Sequence, residues 1–497
     1  MTSCANRHGR SALVALSLFV ALCTPITGVA QDNAAHASKP NVLFISLDDL
    51  NDWVGVLGGH PQAKTPNIDR LARQGVLFEQ AYCAAPLCNP SRTAVMTGLR
   101  SSTTGIYGNA GSWFRDIPEY KNWVTLSQYF QQHGYMAWTG GKIYHQATGK
   151  FSDPIAWDKQ YSLEMGTPAP PPEKQYLHGM RDKFSNTIVA RLNDWAPIEE
   201  SDEETADWRT ATLAAEFLQK EHDKPFFLGV GILRPHLSWY IPQKYFDMHP
   251  LEEIQLPPYL ESDLDDVPQK GREMALSGDT FDVIKANGQW KQAVQGYLAA
   301  CSFADACLGV VLDALETSPH RDNTVVVFWG DHGYHIGEKR HFSKSALWEE
   351  STNTPLVIKA PGVSTKNTRS TRTVSLIDLY PTLIELCGLP PRDDLDGRSI
   401  APLVKNPEME WPYPAVITHS PFWHGVNHAV RSEEYHYINY SDGGEELYDV
   451  AADPNGWTNV AHDPSYAEAK ARLKAWLPKV NAPHFPPNLP RPGRKKD

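Results

Sequence analysis

Asp48 and Asp49 stand side by side at the end of an apolar run, "NVLFISLDD". Adjacent carboxylates repel each other unless a cation shares them; on its own the pair also reads as a capped turn. A second polar pair, Asp331-His332, lies between Gly330 and Gly333 at the end of "NTVVVFWGDHG". Its glycines permit close backbone approach, although alone it reads equally as a loop turn. Such mostly oxygen ligands suit a hard divalent ion, calcium or magnesium. Cationic residues recur in comparable places: Lys142 and His145 in "GKIYH", His236 in "RPH", Lys344 in "HFSK" and Arg92 in "PLCNPSR". Any one of them reads as a solvated loop residue. Together they would line a positive pocket that fits a tetrahedral oxyanion. Cys88 lies inside the last of these stretches, where a catalytic thiol would need a histidine or a helix N-terminus to lower its pKa.

The elements that must position these residues alternate. Asn41 to Leu47 is a strand apolar on both faces, the mark of a parallel sheet. Thr65-Pro66 opens a helix with a cap, Gly75 closes it, and Val76 to Phe78 resumes as a strand. Helix–strand pairs follow at 125–138, 203–233 and 290–331. The fold class is therefore α/β with a mostly parallel sheet flanked by helices. Open sheets of this kind bind ligands beyond the C-terminal strand ends, so Asp48, Asp49, Asp331 and His332 should share one crevice. "PAPPP", 168–172, and the loop region 242–278 read as insertions. Ile377 to Leu383 is a helix. From Pro402 the strands shorten, and Ala429 to Val450 reads as a hairpin within a smaller α+β unit. Trp113, Tyr240, Trp423, His424 and His428 are loop candidates for a sugar-stacking wall, with core packing as the competing reading.

The 497 residues, 41% hydrophobic and 21% charged, describe a globular chain with a large core, and the net charge of -12 argues against general nucleic-acid binding. Arg7 and Arg10 precede an apolar run, Ala12 to Ile26, closed by small residues up to Ala30. Residues 1–30 therefore read as a signal peptide, with export to the periplasm or the exterior. No later segment reads as long and apolar enough to cross a membrane. After cleavage five cysteines remain: Cys83, Cys88, Cys301, Cys307 and Cys387. An odd number in an oxidising compartment leaves at least one unpaired or chemically altered. Cys301 and Cys307 fall on nearly opposite faces of one helix and should not bridge each other.

Cys88-Asn89-Pro90-Ser91-Arg92, with Thr97-Gly98 beyond, resembles the C-x-P-S-R-x4-T-G signature of type I sulfatases. The Asp48-Asp49 pair, the Gly330 to Gly333 turn, Ile377 to Leu383 and "ELYDVAADP" fall in that family's order, so the resemblance spans nearly the whole mature chain. It implies an alkaline-phosphatase-like fold, with a catalytic domain at 38–401, a C-terminal α+β subdomain with a small antiparallel sheet at 402–482, and a flexible tail at 483–497. It also implies that a formylglycine-generating enzyme, reading Pro90 and Arg92, oxidises Cys88 to Cα-formylglycine. The hydrated aldehyde attacks sulfur with one hydroxyl and expels sulfate by means of the other, an exit that a plain cysteine or serine ester lacks. By the same resemblance Asp48, Asp49, Cys88, Asp331 and His332 would hold calcium, with magnesium as the alternative. Arg92 would hold the formylglycine, and Lys142 and Lys344 would bind sulfate oxygens. Asp331 would activate the nucleophile, His145 would act as base in the elimination, and His236 would protonate the leaving oxygen. Most sulfatases carry Asn where this chain has His332. The Asp-His pair, "LCNPSR", "GKIYH" and "RPH" are similar to the iduronate-2-sulfatase branch, which implies a sulfated carbohydrate substrate and exo action. Competing readings are a phosphonate or phosphate ester hydrolase of the same superfamily and a secreted carbohydrate-binding protein with decayed catalysis. The complete set of expected side chains argues against the second.

Overall fold

The computed structural model describes residues 39–109, 111–161, 193–420 and 425–487. The signal peptide, "PAPPP", Trp423 and His424 lie outside them. The central sheet is built from β1 (Asn41–Asp48), β2 (Val76–Tyr82), β3 (Met136–Gly141), β4 (Lys159–Tyr161), β5 (Phe226–Pro235), β6 (Thr324–Gly330), β7 (Leu356–Lys359) and β8 (Thr368–Ser375). Their order across the sheet is β8-β2-β7-β6-β1-β5-β3-β4. Every pairing is parallel except those of β7, which runs antiparallel to β2 and to β6. The α/β expectation holds, and this is the alkaline-phosphatase-like arrangement.

The continuous apolar run of β1 has a direct cause: all eight of its residues are buried. Leu43, Ile45 and Leu47 enter one core layer, with the helices Ala206–Leu218 and Trp290–Thr317; Val42 and Phe44 enter the other. Two faces covered by helices leave no solvated face and hence no alternation. The helix Trp290–Thr317 corrects one expectation. By length and composition it is apolar enough to cross a membrane, with a mean hydropathy of 1.8, but 78% of that window is buried inside the fold. It serves as the central core helix of one layer.

Other differences are local. Thr65 does not cap the helix Pro66–Ala72 with its side chain; its hydroxyl accepts the Gly55 N–H at 2.8 Å instead. The helix expected over 203–221 divides into a turn, Asp202–Glu204, and the helix Ala206–Leu218, because Thr205 caps the second by accepting the Trp208 N–H. The loop region 242–278 contains two short helices, Gln243–Asp247 and Gln269–Ala275. At the C-terminus β9 (Ala415–His419), β10 (Asn427–Arg431), β11 (Tyr435–Asn439) and β12 (Glu445–Asp449) form an antiparallel meander. It is tied to the main body by Thr418 N–H to the Ala84 carbonyl (2.9 Å) and by Trp348 Nε1–H to Glu446 (2.8 Å). The tail expected from 483 starts out bound: the Phe485 N–H donates to the Gly105 carbonyl at 3.0 Å and Ser112 Oγ donates to the Phe485 carbonyl at 2.7 Å. Residues beyond 487 lie outside the described set. Cys83, Cys88, Cys301, Cys307 and Cys387 are all buried and unbridged.

Candidate active site

The site gathers at the C-terminal ends of β1, β3, β5 and β6. Because Leu47 pairs with Gly330 across β1 and β6, the next residues of both strands emerge side by side, and the Asp331 N–H donates to the Leu47 carbonyl at 3.1 Å. Asp49 then adopts φ 64°, the left-handed region, which costs a non-glycine residue about 1–3 kcal/mol. Two contacts hold it there: its N–H donates to Asp331 Oδ1 at 3.0 Å, and the Tyr297 hydroxyl donates to its carbonyl at 2.8 Å.

Cys88 is the first residue of the wholly buried helix Cys88–Thr97, where Pro90 is tolerated because the first turn needs no i→i−4 donor. Its Sγ lies 3.3 Å from His332 Nε2 and 3.1 Å from Lys344 Nζ. Burial and Asp48 raise the pKa of this thiol, but Lys142, Lys344 and His332 outweigh them and hold it well below its ordinary value. One ligand atom each from Asp48, Asp49, Cys88 and His332 all lie within 4.8 Å of one another. Asp48 Oδ1 and Asp49 Oδ2 are buried without a hydrogen-bond partner, although both side chains are at most 1% exposed. Orphaned carboxylate oxygens converging in a dry pocket are what a cation would satisfy. The His332 ring is also oriented for ligation: Nδ1 donates to the Gly333 carbonyl at 3.0 Å, which turns Nε2 toward the cluster.

Asp331 lies against this set with both carboxylate oxygens engaged. Oδ1 accepts the N–H groups of Asp49 and His332, and Oδ2 accepts Arg92 Nε at 2.8 Å. Burial first, with Asp48 acting against Arg92, lifts the Asp331 pKa to about 7; burial lowers that of His332, but Asp331 and Cys88 raise it to about 9. Arg92 is fully buried, donates to Ser46 Oγ (3.1 Å) and to the carbonyls of Lys142 and Ile143, and reaches Asp48 at 3.4 Å. Lys142 pairs with Asp48, and Lys344 pairs with Asp49 at 2.6 Å. His236 reaches Asp49 Oδ2 at 3.9 Å, with its Nδ1 held by the Leu237 carbonyl at 2.6 Å. His145 feels the charges of Lys142, Cys88 and Asp48; burial, then Lys142, pull its pKa down to about 4, and its Nδ1 has no partner. Asp48, Asp49, Cys88, Arg92, Lys142, His236, Asp331, His332 and Lys344 thus meet through direct contacts, and His145 lies within reach of their charges.

The candidate sugar wall fares differently. Trp113, Tyr240 and His428 are at most 5% exposed. Trp113 packs on Phe114, Tyr144 and Phe151, and the Tyr240 hydroxyl bonds Asp194. The sequence reading missed Ser46 and Tyr297. Ser46 Oγ donates to the Lys142 carbonyl at 3.2 Å while accepting from Arg92. A serine inside an apolar strand was the one available signal for the first; nothing marks the second within its long apolar helix.

A mixed, mostly parallel sheet with a carboxylate pair, a helix-initial cysteine and three cations at its strand exits defines an oxyanion-handling hydrolase. The chain belongs to the sulfatase family: the family model "Sulfatase" matches residues 40–389, and "N-sulphoglucosamine sulphohydrolase, C-terminal" matches 337–482. It is 41% identical over 459 residues to a sulfatase of Formosa agariphila, covering 90% of this chain and 88% of that one. It is 29% identical to iduronate 2-sulfatase of Mus musculus over 75% of this chain and 73% of that one. A structure described as in complex with its substrate D-glucosamine-2-N,6-O-disulfate shares the fold at TM-score 0.69 and 21% identity, covering 88% of this chain and 96% of that one. So does the phosphonate monoester hydrolase of Agrobacterium radiobacter, at TM-score 0.69 and 24% identity, covering 88% and 94%. The protein is a sulfuric ester hydrolase.

Proposed function

We propose that this sulfatase is an exported enzyme that removes sulfate from a sulfated carbohydrate, with Cys88 matured to formylglycine, and that it is nearest the iduronate-2-sulfatase branch. The observation that carries the reading is Cys88 at a helix start, in contact with Lys344 and His332 and within the charge of Lys142, beside carboxylate oxygens that lack a hydrogen-bond partner. The sulfated-sugar enzymes among its relatives supply the substrate class, and "RPH" with Asp331-His332 supplies the branch. Residues 38–401 form the catalytic domain and 402–482 the C-terminal subdomain. Asp48, Asp49, Asp331, His332 and the matured Cys88 hold calcium, or magnesium, which when bound polarises oxygen and offsets the carboxylate charge. The formylglycine hydrate, when present, supplies one hydroxyl for attack and a second that permits release.

The remaining chemistry belongs to this chain's own side chains. Lys142 and Lys344 take the non-bridging sulfate oxygens; a cation shared by Asp48 and Asp49 would draw charge from these carboxylates and leave the two ammonium groups available to the sulfate. Arg92 fixes the Asp331 carboxylate at 2.8 Å and so keeps the proton-accepting group in place. His145, held neutral, accepts a proton in the release step. His236 gives a proton to the leaving sugar oxygen; its Nδ1 contact with the Leu237 carbonyl directs Nε2 inward.

A panel of sulfated glycosaminoglycan disaccharides and algal oligosaccharides, run beside an aryl sulfate and an aryl phosphonate, tests the reading by liberated sulfate or phosphonate ester cleavage. Release of sulfate from a sugar, faster than any phosphonate cleavage, is expected. Preferred phosphonate turnover would move the protein to the phosphonate hydrolases. An active preparation whose peptide across position 88 carries only thiol would remove formylglycine.

A further inference from the structure

Beyond the exits of β1 and β6, toward the C-terminal sheet, lies a cavity of about 200 Å3 that shares no residue with the site above. Acids dominate its lining. Lys339 is the single lysine or arginine there, and its ammonium is already committed to Asp263 at 2.6 Å and to the Gly456 carbonyl. Glu349 is matched by Arg431 at 3.1 Å, and Glu350 faces His335 at 3.1 Å. Asp52 and Glu338 form no ion pair among the described residues. The Asp52 carboxylate lies over Gly59, so close that a Cβ there would come within 2.3 Å of it, and Glu338 takes backbone N–H groups, that of Ile336 at 2.7 Å and its own. Burial, then the neighbouring Glu350, push Asp52 up to about 7 and Glu338 up to about 8, as expected of negative charge without a counter-ion.

A second observation is independent of the acids. His436 lines the cavity, is 4% exposed, and its Nε2 has no hydrogen-bond partner. Burial holds the imidazole neutral, and a proton on Nδ1, 3.7 Å from Glu349, leaves Nε2 as an acceptor. The walls also show what they accommodate. The Lys339 ammonium sits 4.8 Å from the Tyr448 ring centroid and 6.0 Å from that of Trp348, a cation over aromatic faces. Trp53 and Trp457 continue this aromatic lining.

The geometry decides which cation. Among the described residues, the active-site set is the only group of three or more His, Cys, Asp or Glu ligand atoms within 4.8 Å of one another. The cavity acids therefore do not converge on a point, as a hard divalent ion with roughly six to eight oxygen ligands would require. We infer that this cavity binds a small linear polyammonium, with its nitrogens shared among Asp52, Glu338 and His436 Nε2 and its methylenes lying on Trp53 and Trp457.

Titration calorimetry and thermal shift on the mature enzyme, using spermidine, putrescine and calcium chloride separately, test this. Spermidine should bind once per chain and raise Tm. Asp52→Asn and Trp457→Ala should each weaken it about tenfold, while Cys88→Ala leaves it unchanged. Trp457 is half-exposed, so its variant keeps the test open if Asp52→Asn does not fold. Absence of spermidine binding, or binding that neither variant weakens and that therefore reflects the acidic surface at large, overturns the inference. Calcium binding that Asp52→Asn abolishes, with no binding of spermidine, replaces it with a metal site.

Discussion

Cys88 is surrounded by more positive charge than a buried thiol needs, and that excess has a consequence for its variants. Cys88→Ala keeps the helix start, removes a thiol whose hydrogen-bond partners are His332 and Lys344, and should abolish turnover while leaving Tm within a few degrees. Cys88→Ser should be equally inactive in hosts whose maturing enzyme acts only on cysteine. Full activity in either variant, measured by sulfate release, would refute formylglycine catalysis. His236 lies at the edge of the cluster, 3.9 Å from Asp49 Oδ2 and near enough to Asp48 to act on its charge. A group that protonates a leaving oxygen matters most when that oxygen leaves poorly. His236→Ala should therefore lower kcat on a sugar sulfate by about 10²–10⁴-fold and on an activated aryl sulfate by far less. Equal losses on both would take His236 out of the acid role.

Elements transmit position to these residues through very close backbone contacts. Gly141 and Gly231 face each other across β3 and β5, and the Lys142 N–H donates to the Gly231 carbonyl at 3.0 Å. A Cβ on Gly231 would lie 2.2–2.4 Å from the Lys142 backbone, and one on Gly141, at φ 72°, would lie 1.9 Å from the Gly231 carbonyl. Gly231→Ala should thus push Lys142 off Asp48, cutting activity at least tenfold and destabilising by about 1–3 kcal/mol, read from sulfate release and urea unfolding. Unchanged activity would show that Lys142 tolerates displacement. Such strand exits were legible in sequence to within two residues where the pattern was strong: β1 and β5 run one and two residues past their apolar runs, to Asp48 and Pro235, and β6 ends at Gly330, just before Asp331. Boundaries failed where a polar side chain found a tertiary partner, as when Thr65 turned to Gly55 and Thr205 divided an expected helix.

At the scale of the molecule, two apolar layers enclose many polar groups, among them histidines that burial keeps neutral. Burial lowers the pKa of His249 and His341 to about 4 and of His419 to about 3, from an ordinary 6.5. The unfolded chain binds these protons between pH 6.5 and 4 and the folded chain does not, so the histidines' contribution to stability rises with pH across that window. The buried carboxyls of Asp52, Glu338, Asp263 and Asp305, raised to between about 6 and 8, act in the opposite sense, so the histidine share is read as the difference in urea midpoint between pH 7 and 4.5 in paired proteins. His249→Gln, which keeps a polar contact for Ser302, should flatten part of that slope. A pH dependence of the midpoint that His249→Gln leaves unchanged would mean that His249 titrates in place.

Local pattern by itself determined the α/β architecture and most of the polar residues at the centre, Ser46 and Tyr297 excepted, and the likeness of its motifs to those of type I sulfatases determined the reaction class. A buried parallel strand needs an unbroken apolar run, and polar residues just beyond it mark a crevice in any such sheet. Only the tertiary structure decided which polar atoms remain without partners, since that depends on residues hundreds of positions apart meeting at 2–4 Å. It turned a span-like helix into a core helix, moved Trp113 and Tyr240 from a supposed wall into the interior, and made the cavity beside Asp52. Burial and pairing are properties of the packed chain, and no window of sequence contains both partners.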